Sequence, residues 1–263
     1  MASEVERLKL WEVLEKNGTD DHRVVVKKLA DDASAILDHV IETFPTYTLH
    51  NSTHARNVAA LMADLLGPRV EDLTSLEAAM LILSAFWHDI GMVFTDTERN
   101  ALESEPKWHE FLEEKPEALV ALEEAGGLSM ELAEWYCRWQ HADRVYVYLD
   151  KQPATRLQWG PISFREALGE VCRSHNLNVV DIKTNDALQT NYLEEADLKF
   201  CALLLRLADI LDFDNSRSPE PVYQMLGLSN RETKREKESD VEWRKHLDSA
   251  GFRFPEKRDI LIN

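Results

Sequence analysis

An adjacent histidine and aspartate end an apolar run of the sequence. His88 and Asp89 follow Ala85-Phe86-Trp87 and stand just before Gly91. An imidazole nitrogen and a carboxylate oxygen together make a good ligand pair for a divalent metal. Burial of an ionised carboxylate is costly unless a cation or donors compensate it. An isolated pair of this kind is more often an ion pair at a helix end, so a metal site needs ligands from elsewhere in the chain.

Four more side chains of metal-ligand type occur in other apolar segments: His54, His141, His175 and Asp209. Each has a structural alternative. His54 suits a half-buried surface position and His141 a hydrogen bond in the core. His175 suits a helix C-terminus, where the dipole favours a cation, and Asp209 suits a salt bridge with Arg206. The joint order His, His-Asp, His, His, Asp is hard to obtain from unrelated structural causes, and it favours a metal centre.

The helix before His88 is predicted from a capping box and from apolar spacing. Thr74 and Glu77 form the capping box, and apolar residues follow at helical spacing. Gly91 is expected to end the helix in the left-handed conformation. His88 and Asp89 are therefore predicted in the last turn of a buried helix.

The other elements are also predicted to be helices. The apolar spacing predicts helices over residues 3–16, 20–44, 49–66, 129–147 and 193–211, with short helices in 95–127. Ser163 and Glu166 form a second capping box, opening a helix that reaches His175. Residues 152–161 are predicted as a loop, and 176–189 as strand-like at most. The fold class is all-α, a helical bundle with a small C-terminal extension whose last residues alternate as in a short strand.

Composition bounds the class of protein. The chain has 263 residues, 44% hydrophobic and 30% charged, with a net charge of -18. This charge argues against duplex nucleic acid on a broad basic surface and against anionic membranes. We find no apolar run that spans a bilayer and no signal peptide at the start. Three scattered cysteines suggest reduced core thiols, so a cytoplasmic location is expected.

Three regions are predicted along the chain. Residues 1–45 form N-terminal helices that pack on the core, and residues 46–217 form the metal-binding helical core. Residues 218–263 form a polar extension or the start of a following module. Within it, the charge run 231–240 is predicted as a solvated helix face or linker. The unpaired terminal strand points to a C-terminal effector module or to a homo-oligomer as partner.

Over residues 48–214 the chain resembles the HD-domain superfamily of metal-dependent phosphohydrolases. His54 in His-Ala-Arg-Asn-Val resembles the first histidine of that family, and His88-Asp89 in Phe-Trp-His-Asp-Ile-Gly resembles its name-giving pair. Asp209 in Arg-Leu-Ala-Asp-Ile-Leu-Asp resembles the final aspartate. His141 and His175 match the additional histidines of the binuclear branch, which includes cyclic-dinucleotide phosphodiesterases.

Two departures from that branch bear on the substrate. Many members carry a His-His doublet where this chain has Ser174-His175, and the Gly-Tyr-Pro signature is absent. Both departures argue against cyclic di-GMP as the substrate, although not against the metal chemistry. The segment through Trp243–His246 resembles bacterial HD proteins with an appended Hsp90-like ATPase module.

The resemblance implies a ligand set and a reaction. His54, His88, Asp89 and Asp209 would hold one metal, and Asp89 would bridge to a second metal held by His141 and His175. Mixed nitrogen and oxygen ligands suit a divalent transition metal (Mn, Fe, Ni, Co or Zn), two per chain. The reaction implied is hydrolysis of a nucleotide-type phosphoester by a metal-bound hydroxide, with Asp89 in the catalytic site.

Two further residues are candidates for the catalytic site. His50 lies one helical turn before His54 and is either a substrate or supporting contact or a plain surface residue. Arg144 lies three residues after His141 and is the best candidate for a phosphate-binding guanidinium. Its alternative is a salt bridge to Asp143 or to a neighbouring helix.

Three functions are therefore carried forward. The leading one is a metal-dependent phosphohydrolase or phosphodiesterase. A metal-dependent nuclease shares the chemistry, but the charge of -18 argues against it. A regulatory HD module, binding a nucleotide for an attached effector without turnover, is the alternative from another class. An intact ligand set favours catalysis.

Overall fold

The computed structural model describes residues 3–230, 234–252 and 254. Helices dominate these residues, which confirms the predicted all-α class. The α-helices are α1 Lys9–Asn17, α2 Asp20–Leu37, α3 Val40–Thr43, α4 Ser52–Leu66, α5 Ser75–Trp87, α6 Asp96–Asn100, α7 Trp108–Glu114, α8 Pro116–Ala125, α9 Met130–Gln140, α10 Val145–Leu149, α11 Arg165–Ser174, α12 Val179–Thr184, α13 Leu198–Leu211, α14 Glu220–Leu226 and α15 Lys234–Leu247.

Short 3-10 turns and one small sheet complete the described part. The 3-10 turns are Val5–Arg7, Gly67–Asp72, Ile90–Met92, Leu102–Ser104, Ala154–Arg156, Asn215–Arg217 and Leu228–Asn230. Strand β1 (Gln158–Trp159) pairs antiparallel with β2 (Ile162–Ser163), with Trp159 opposite Ile162. Strand β1 lies within residues 152–161, so the prediction of a loop was wrong for that part of the segment.

Helix α5 is the centre of the fold. The predicted capping box is present, since the Thr74 side chain accepts from the Glu77 N–H and the Glu77 carboxylate accepts from the Thr74 N–H. Every residue from Ala78 to Trp87 is buried, and α1, α2, α4, α11 and α13 all contact α5. Each fully buried large apolar side chain contributes about 1.5–3 kcal/mol. The end of α5 is thereby held rigidly in the core.

Two predicted helices are divided in the structure. The helix predicted over 20–44 ends at Leu37, where the Asp38 carboxylate accepts from the backbone N–H and the hydroxyl of Ser52 at the start of α4. The helix predicted over 129–147 is interrupted between Gln140 and Val145. The first break thus brings the end of α2 into contact with the start of α4.

Other boundaries differ because of local capping. Residues 176–189 were predicted as strand-like at most, but they contain α12, whose start is capped by the Asn178 side chain. The helix predicted over 193–211 begins only at Leu198, after Leu193 and Glu194 adopt positive φ. The Ser163–Glu166 capping box does not form, because Phe164 occupies the N-cap without a side-chain hydrogen bond.

The C-terminal helix α15 packs against the rest of the chain. Trp243 is fully buried and its indole N–H donates to the Thr46 carbonyl at 2.9 Å. His246 packs on Phe213 at 4.3 Å, and the Ser249 hydroxyl donates to the Phe213 carbonyl. The predicted terminal strand lies mostly outside the described residues, and the three-region division stays a prediction.

The described residues also bear on compartment and membranes. The three cysteines Cys137, Cys172 and Cys201 are buried and unpaired there, and burial raises the pKa of Cys172 and Cys201 well above the ordinary thiol value. Within the same residues, every helix is too short or too polar to cross a lipid bilayer.

Candidate metal centre

The two carboxylate oxygens of Asp89 face two different pairs of histidines. Oδ2 of Asp89 lies 3.4 Å from Nε2 of His54 and 3.3 Å from Nε2 of His88. Oδ1 lies 3.6 Å from Nε2 of His141 and 3.7 Å from Nε2 of His175. Asp89 is therefore placed between two donor groups that share it.

Asp209 joins the first of these groups from α13. Its Oδ1 lies 3.3 Å from Nε2 of His54 and 3.7 Å from Nε2 of His88. The Asp209 side chain is 25% exposed, whereas that of Asp89 is 6% exposed. Asp209 thus stands at the edge of a centre that is otherwise buried. All six residues predicted as metal ligands are brought together.

Hydrogen bonds at Nδ1 orient all four imidazoles. Nδ1 of His54 lies 2.6 Å from the Asp212 carboxylate, and Nδ1 of His88 lies 2.9 Å from the Ala85 carbonyl. Nδ1 of His141 and Nδ1 of His175 each lie 2.6 Å from a carbonyl oxygen, those of Arg138 and Cys172 respectively. Carbonyl and carboxylate oxygens accept, so Nδ1 carries a proton in each ring, and in the neutral imidazole the lone pair lies on Nε2. Such outer hydrogen bonds are typical of metal-ligating histidines.

The Nε2 atoms then meet in pairs. The distance is 3.2 Å between His54 and His88, and 2.9 Å between His141 and His175. Two lone pairs at this separation repel each other unless a proton or a cation lies between them. Potential ligand atoms of His54, His88 and Asp89 lie within 4.8 Å of one another, and so do those of Asp89, His141 and His175. Both groups could therefore hold a metal ion, and their nitrogen and oxygen donors suit a divalent transition metal.

The first group binds protons strongly when no cation is present. Burial and the charge of Arg217 favour neutral His54, but hydrogen bonds to three carboxylates outweigh them and raise its pKa to about 9. Burial also opposes protonation of His88, yet the Asp89 charge raises its pKa well above the ordinary value. Burial opposes the ionisation of Asp89 and Asp209, but the histidines hold both pKa values well below the usual range.

The second group does not bind protons in this way. Burial lowers the pKa of His141, and the Asp89 charge only partly opposes it. Burial, together with the charges of His88 and His141, lowers the pKa of His175 to about 4. Both imidazoles are therefore held neutral near pH 7, which is the form that binds a metal.

Asp212 is a residue of the site that sequence reasoning missed. Its carboxylate is almost fully buried and accepts from Nδ1 of His54 through Oδ2 and from the Asn57 amide through Oδ1 at 3.1 Å. The signal was present in Arg-Leu-Ala-Asp-Ile-Leu-Asp, where Asp212 lies one turn after Asp209. Asp212 thus orients the candidate ligand His54, and it comes from the same segment as the candidate ligand Asp209.

Gly91 acts by packing and not by its backbone conformation. The prediction of a left-handed helix terminator was wrong, since Gly91 has no positive φ and α5 ends at Trp87, with His88 as its C-cap. A Cβ on Gly91 would lie 2.0 Å from the His141 carbonyl oxygen. Only glycine allows the His141 segment to approach Asp89 this closely.

His50 lies beside the centre. Its ring is 5.5 Å from that of His54. Nδ1 donates to the Thr48 carbonyl at 2.7 Å, and Nε2 accepts from the Arg217 guanidinium at 2.7 Å. Burial and the Arg217 charge lower the pKa of His50 well below its ordinary value. His50 is thus a neutral, half-buried neighbour of the ligands, and its catalytic role stays a prediction.

Arg144 is held by protein groups. Its guanidinium donates to the carbonyls of Gly91 and Val93 and to the Glu98 carboxylate, and lies 3.5 Å from the Phe94 ring centre. These are the contacts of the predicted alternative, an ion pair with a neighbouring helix, and they support the turn after Asp89. The predicted partner Asp143 pairs instead with two other cations, Lys107 and Arg173. A phosphate contact of Arg144 stays a prediction.

Comparison with known proteins agrees with this geometry. No curated protein and no solved structure matches the chain. The sequence model of one family, described as HD-CE, matches residues 44–262 and therefore covers well over half of the chain. This span includes every residue of the metal centre as well as α15. The chain belongs to the HD-CE family, which is related to the HD domains.

Proposed function

We propose that the protein is a metal-dependent phosphohydrolase or phosphodiesterase that acts on a nucleotide-type phosphoester. The observation that carries this proposal is the placement of Asp89, whose two oxygens face two separate pairs of imidazole nitrogens. A carboxylate shared in this way suits two neighbouring cations. Membership of an HD-related family supports the same chemistry.

Charge explains why such a centre suits a phosphoester. The two carboxylates Asp89 and Asp209 contribute two negative charges, and imidazoles that act as ligands are neutral. Two divalent cations would therefore leave the centre positive inside a chain whose net charge is -18. A bound cation pair supplies an activated water and clamps the phosphate oxygens during in-line attack.

The chain's own residues would orient the centre and limit access to it. His54 and His88 are 1% exposed, whereas the Asp209 side chain is 25% exposed and is the part of the first group that solvent contacts most. The pKa of Asp209 is held well below its ordinary value, so its carboxylate stays ionised and can accept a hydrogen bond from an entering water. Asp212 and three backbone carbonyls keep the ligand imidazoles in the tautomer that points Nε2 inward.

The test is metal analysis followed by a turnover screen. The purified protein is loaded with Mn, Fe, Co, Ni or Zn, and the bound metal is counted. Phosphate release is then measured on nucleoside monophosphates, and cleavage is measured on diesters and cyclic dinucleotides. We expect a metal-dependent activity that the Asp89→Asn variant lacks, whereas Asp143→Asn, a carboxylate engaged by Lys107 and Arg173, retains it.

The screen also separates the alternatives. Metal-loaded protein that binds nucleotides without turnover would contradict the proposal and favour the regulatory module. Cleavage of single-stranded DNA but of no nucleotide would favour the nuclease. The proposal also includes two divalent transition metals per chain and a cytoplasmic location. The proposed partner is a C-terminal effector module or a second copy of the chain.

A further inference from the structure

A cavity of about 480 Å³ lies beside residues that contact the candidate metal ligands. His50, which lines it, has its ring 5.5 Å from that of His54. Arg138 also lines it, and the Arg138 carbonyl accepts from Nδ1 of the ligand His141. Two cavity residues are thus in contact with ligand histidines of the two different groups. A volume of this size is in the range that holds a small-molecule ligand.

The inner side of this cavity carries positive charge. Arg217 lines it and is 7% exposed; its guanidinium is held by His50 and by the Leu49 and Asp212 carbonyls, and it lies 3.9 Å from the Asp212 carboxylate. Arg138 also lines the cavity but is exposed; within residues 3–230, 234–252 and 254 it has no ion-pair partner, and its guanidinium lies 5.4 Å from the Tyr47 ring centre. An arginine without a carboxylate partner is well suited to a phosphate oxygen.

The outer side of the cavity is acidic and comes from α15. Glu238 and Glu242 lie one helical turn apart, line the cavity and are exposed to solvent, and the Glu242 carboxylate pairs with Lys245 of the same helix. Their carboxylates accept hydrogen bonds from hydroxyl and amino groups. They also repel an anion placed beside them. The cavity therefore carries both charges, with Arg217 buried beside His50 and with Arg138, Glu238 and Glu242 exposed.

We propose that the substrate is a nucleoside monophosphate and that this cavity binds its neutral, hydroxyl-bearing nucleoside part. The cavity disfavours nucleoside polyphosphates. The proposal rests on the phosphohydrolase function proposed above, since it places the phosphate at the metal centre. Arg138 contacts the phosphate from the cavity side, and Glu238 and Glu242 accept from the sugar hydroxyls or from a base amino group. A chain of further phosphates would run beside these two carboxylates.

Equilibrium binding to protein loaded with Mn²⁺ and freed of excess metal tests the proposal. The probes are adenosine 5′-monophosphate and adenosine 5′-triphosphate, and only unhydrolysed nucleotide is counted. We expect tighter binding of the monophosphate. Arg138→Gln should weaken monophosphate binding about tenfold, as expected for a lost charge-assisted hydrogen bond, while the metal content is unchanged because the Arg138 carbonyl remains.

Charge reversal at the mouth gives the second arm. Glu238→Lys combined with Glu242→Lys should shift the ratio of the two dissociation constants about tenfold towards the triphosphate. The matched control is Glu220→Lys combined with Asp248→Lys, which changes the net charge equally at exposed positions outside the cavity. An equal shift in the control would show a general charge effect and overturn the proposal.

The outcomes separate this proposal from the proposed function. If turnover persists and none of the cavity variants changes nucleotide binding, the cavity assignment is overturned and the proposed hydrolase function is unaffected. Monophosphate binding that responds to Arg138 and to both glutamates, without any turnover, would support the cavity and contradict the hydrolase. Preferred binding of the triphosphate by the unchanged protein would also overturn the cavity assignment.

Discussion

The carbonyl oxygen of His141 passes so close to Gly91 that a Cβ at Gly91 would lie 2.0 Å from it. This contact joins the turn after Asp89 to the break between α9 and α10. It places a ligand of the second donor group within reach of the carboxylate that the first group also uses. The spacing of the two metal groups therefore depends on a residue that binds no metal.

We expect Gly91→Ala to disturb the second donor group. The added methyl group must displace the His141 segment, and overpacking of this kind costs about 1–3 kcal/mol. Metal content, measured on folded protein by elemental analysis, should fall from about two per chain towards one. Gly18→Ala is the control, because its Cβ would lie 2.7 Å from the Leu14 carbonyl, outside the centre. Full metal content in Gly91→Ala would show that this contact does not position His141.

Asp89→Ala should abolish turnover and most metal binding while the helical content is kept. Removal of a shared carboxylate leaves two cations with no anion between them. Circular dichroism reports the helices, and activity is measured with added manganese. Activity equal to that of the unchanged protein would rule out Asp89 as the shared ligand.

His141→Ala and His175→Ala should each lower the metal content from about two per chain towards one, with a fall in activity. Both residues belong to the second group only, so the metal of the first group should remain. His109→Ala, at an exposed histidine outside both groups, should leave the metal content unchanged. If both variants bind as much metal as the unchanged protein, His141 and His175 are not ligands, and a mononuclear monoester phosphatase becomes the better proposal.

Asp212→Asn should lower the affinity of the first group for its metal, although Asp212 is not itself a ligand. The amide cannot supply the charge that Asp212 places on Nδ1 of His54, and loss of such an outer partner costs about 10- to 100-fold in metal affinity. Competition with a chelator measures this affinity. Asp240→Asn, a carboxylate paired with Arg244 on α15, is the control. An unchanged affinity in Asp212→Asn would limit Asp212 to a structural role.

The two groups should differ in how their metal affinity depends on pH. His54, with a pKa of about 9, is protonated near neutral pH in the metal-free protein, so the first cation must displace a proton. The affinity of the first group for its metal should rise as the pH increases towards about 9. His175, with a pKa of about 4, is already neutral, so the affinity of its group should be nearly constant over the same range.

This difference can be measured with the single-group variants. His175→Ala isolates the first group, and His54→Ala isolates the second. Manganese affinity and proton release are then followed from about pH 6 to about pH 9. Equal pH dependence in the two variants would contradict the assignment of the bound protons to the first group.

Much of the architecture could be predicted from the sequence alone. The all-α class and the capped helix just before Asp89, which has His88 as its C-cap, depend on apolar spacing and on short-range capping, which are local properties. The six candidate ligands could be named because each stands in or beside a helical segment, and their order along the chain matches a known pattern. Local rules failed where a distant group intervened, as when the contact of Asp38 with Ser52 accompanies the break after α2.

Only the tertiary structure decided how these residues work together. Three relationships join residues that are far apart in the chain. The two Asp89 oxygens face different histidine pairs, Gly91 contacts His141, and His54 is hydrogen-bonded to Asp212. Arg144 likewise lies near His141 in sequence, yet its guanidinium is held by groups from residues 91–98. Spacing along a helix determines which side chains share a face, but the partner of that face depends on how the helices pack.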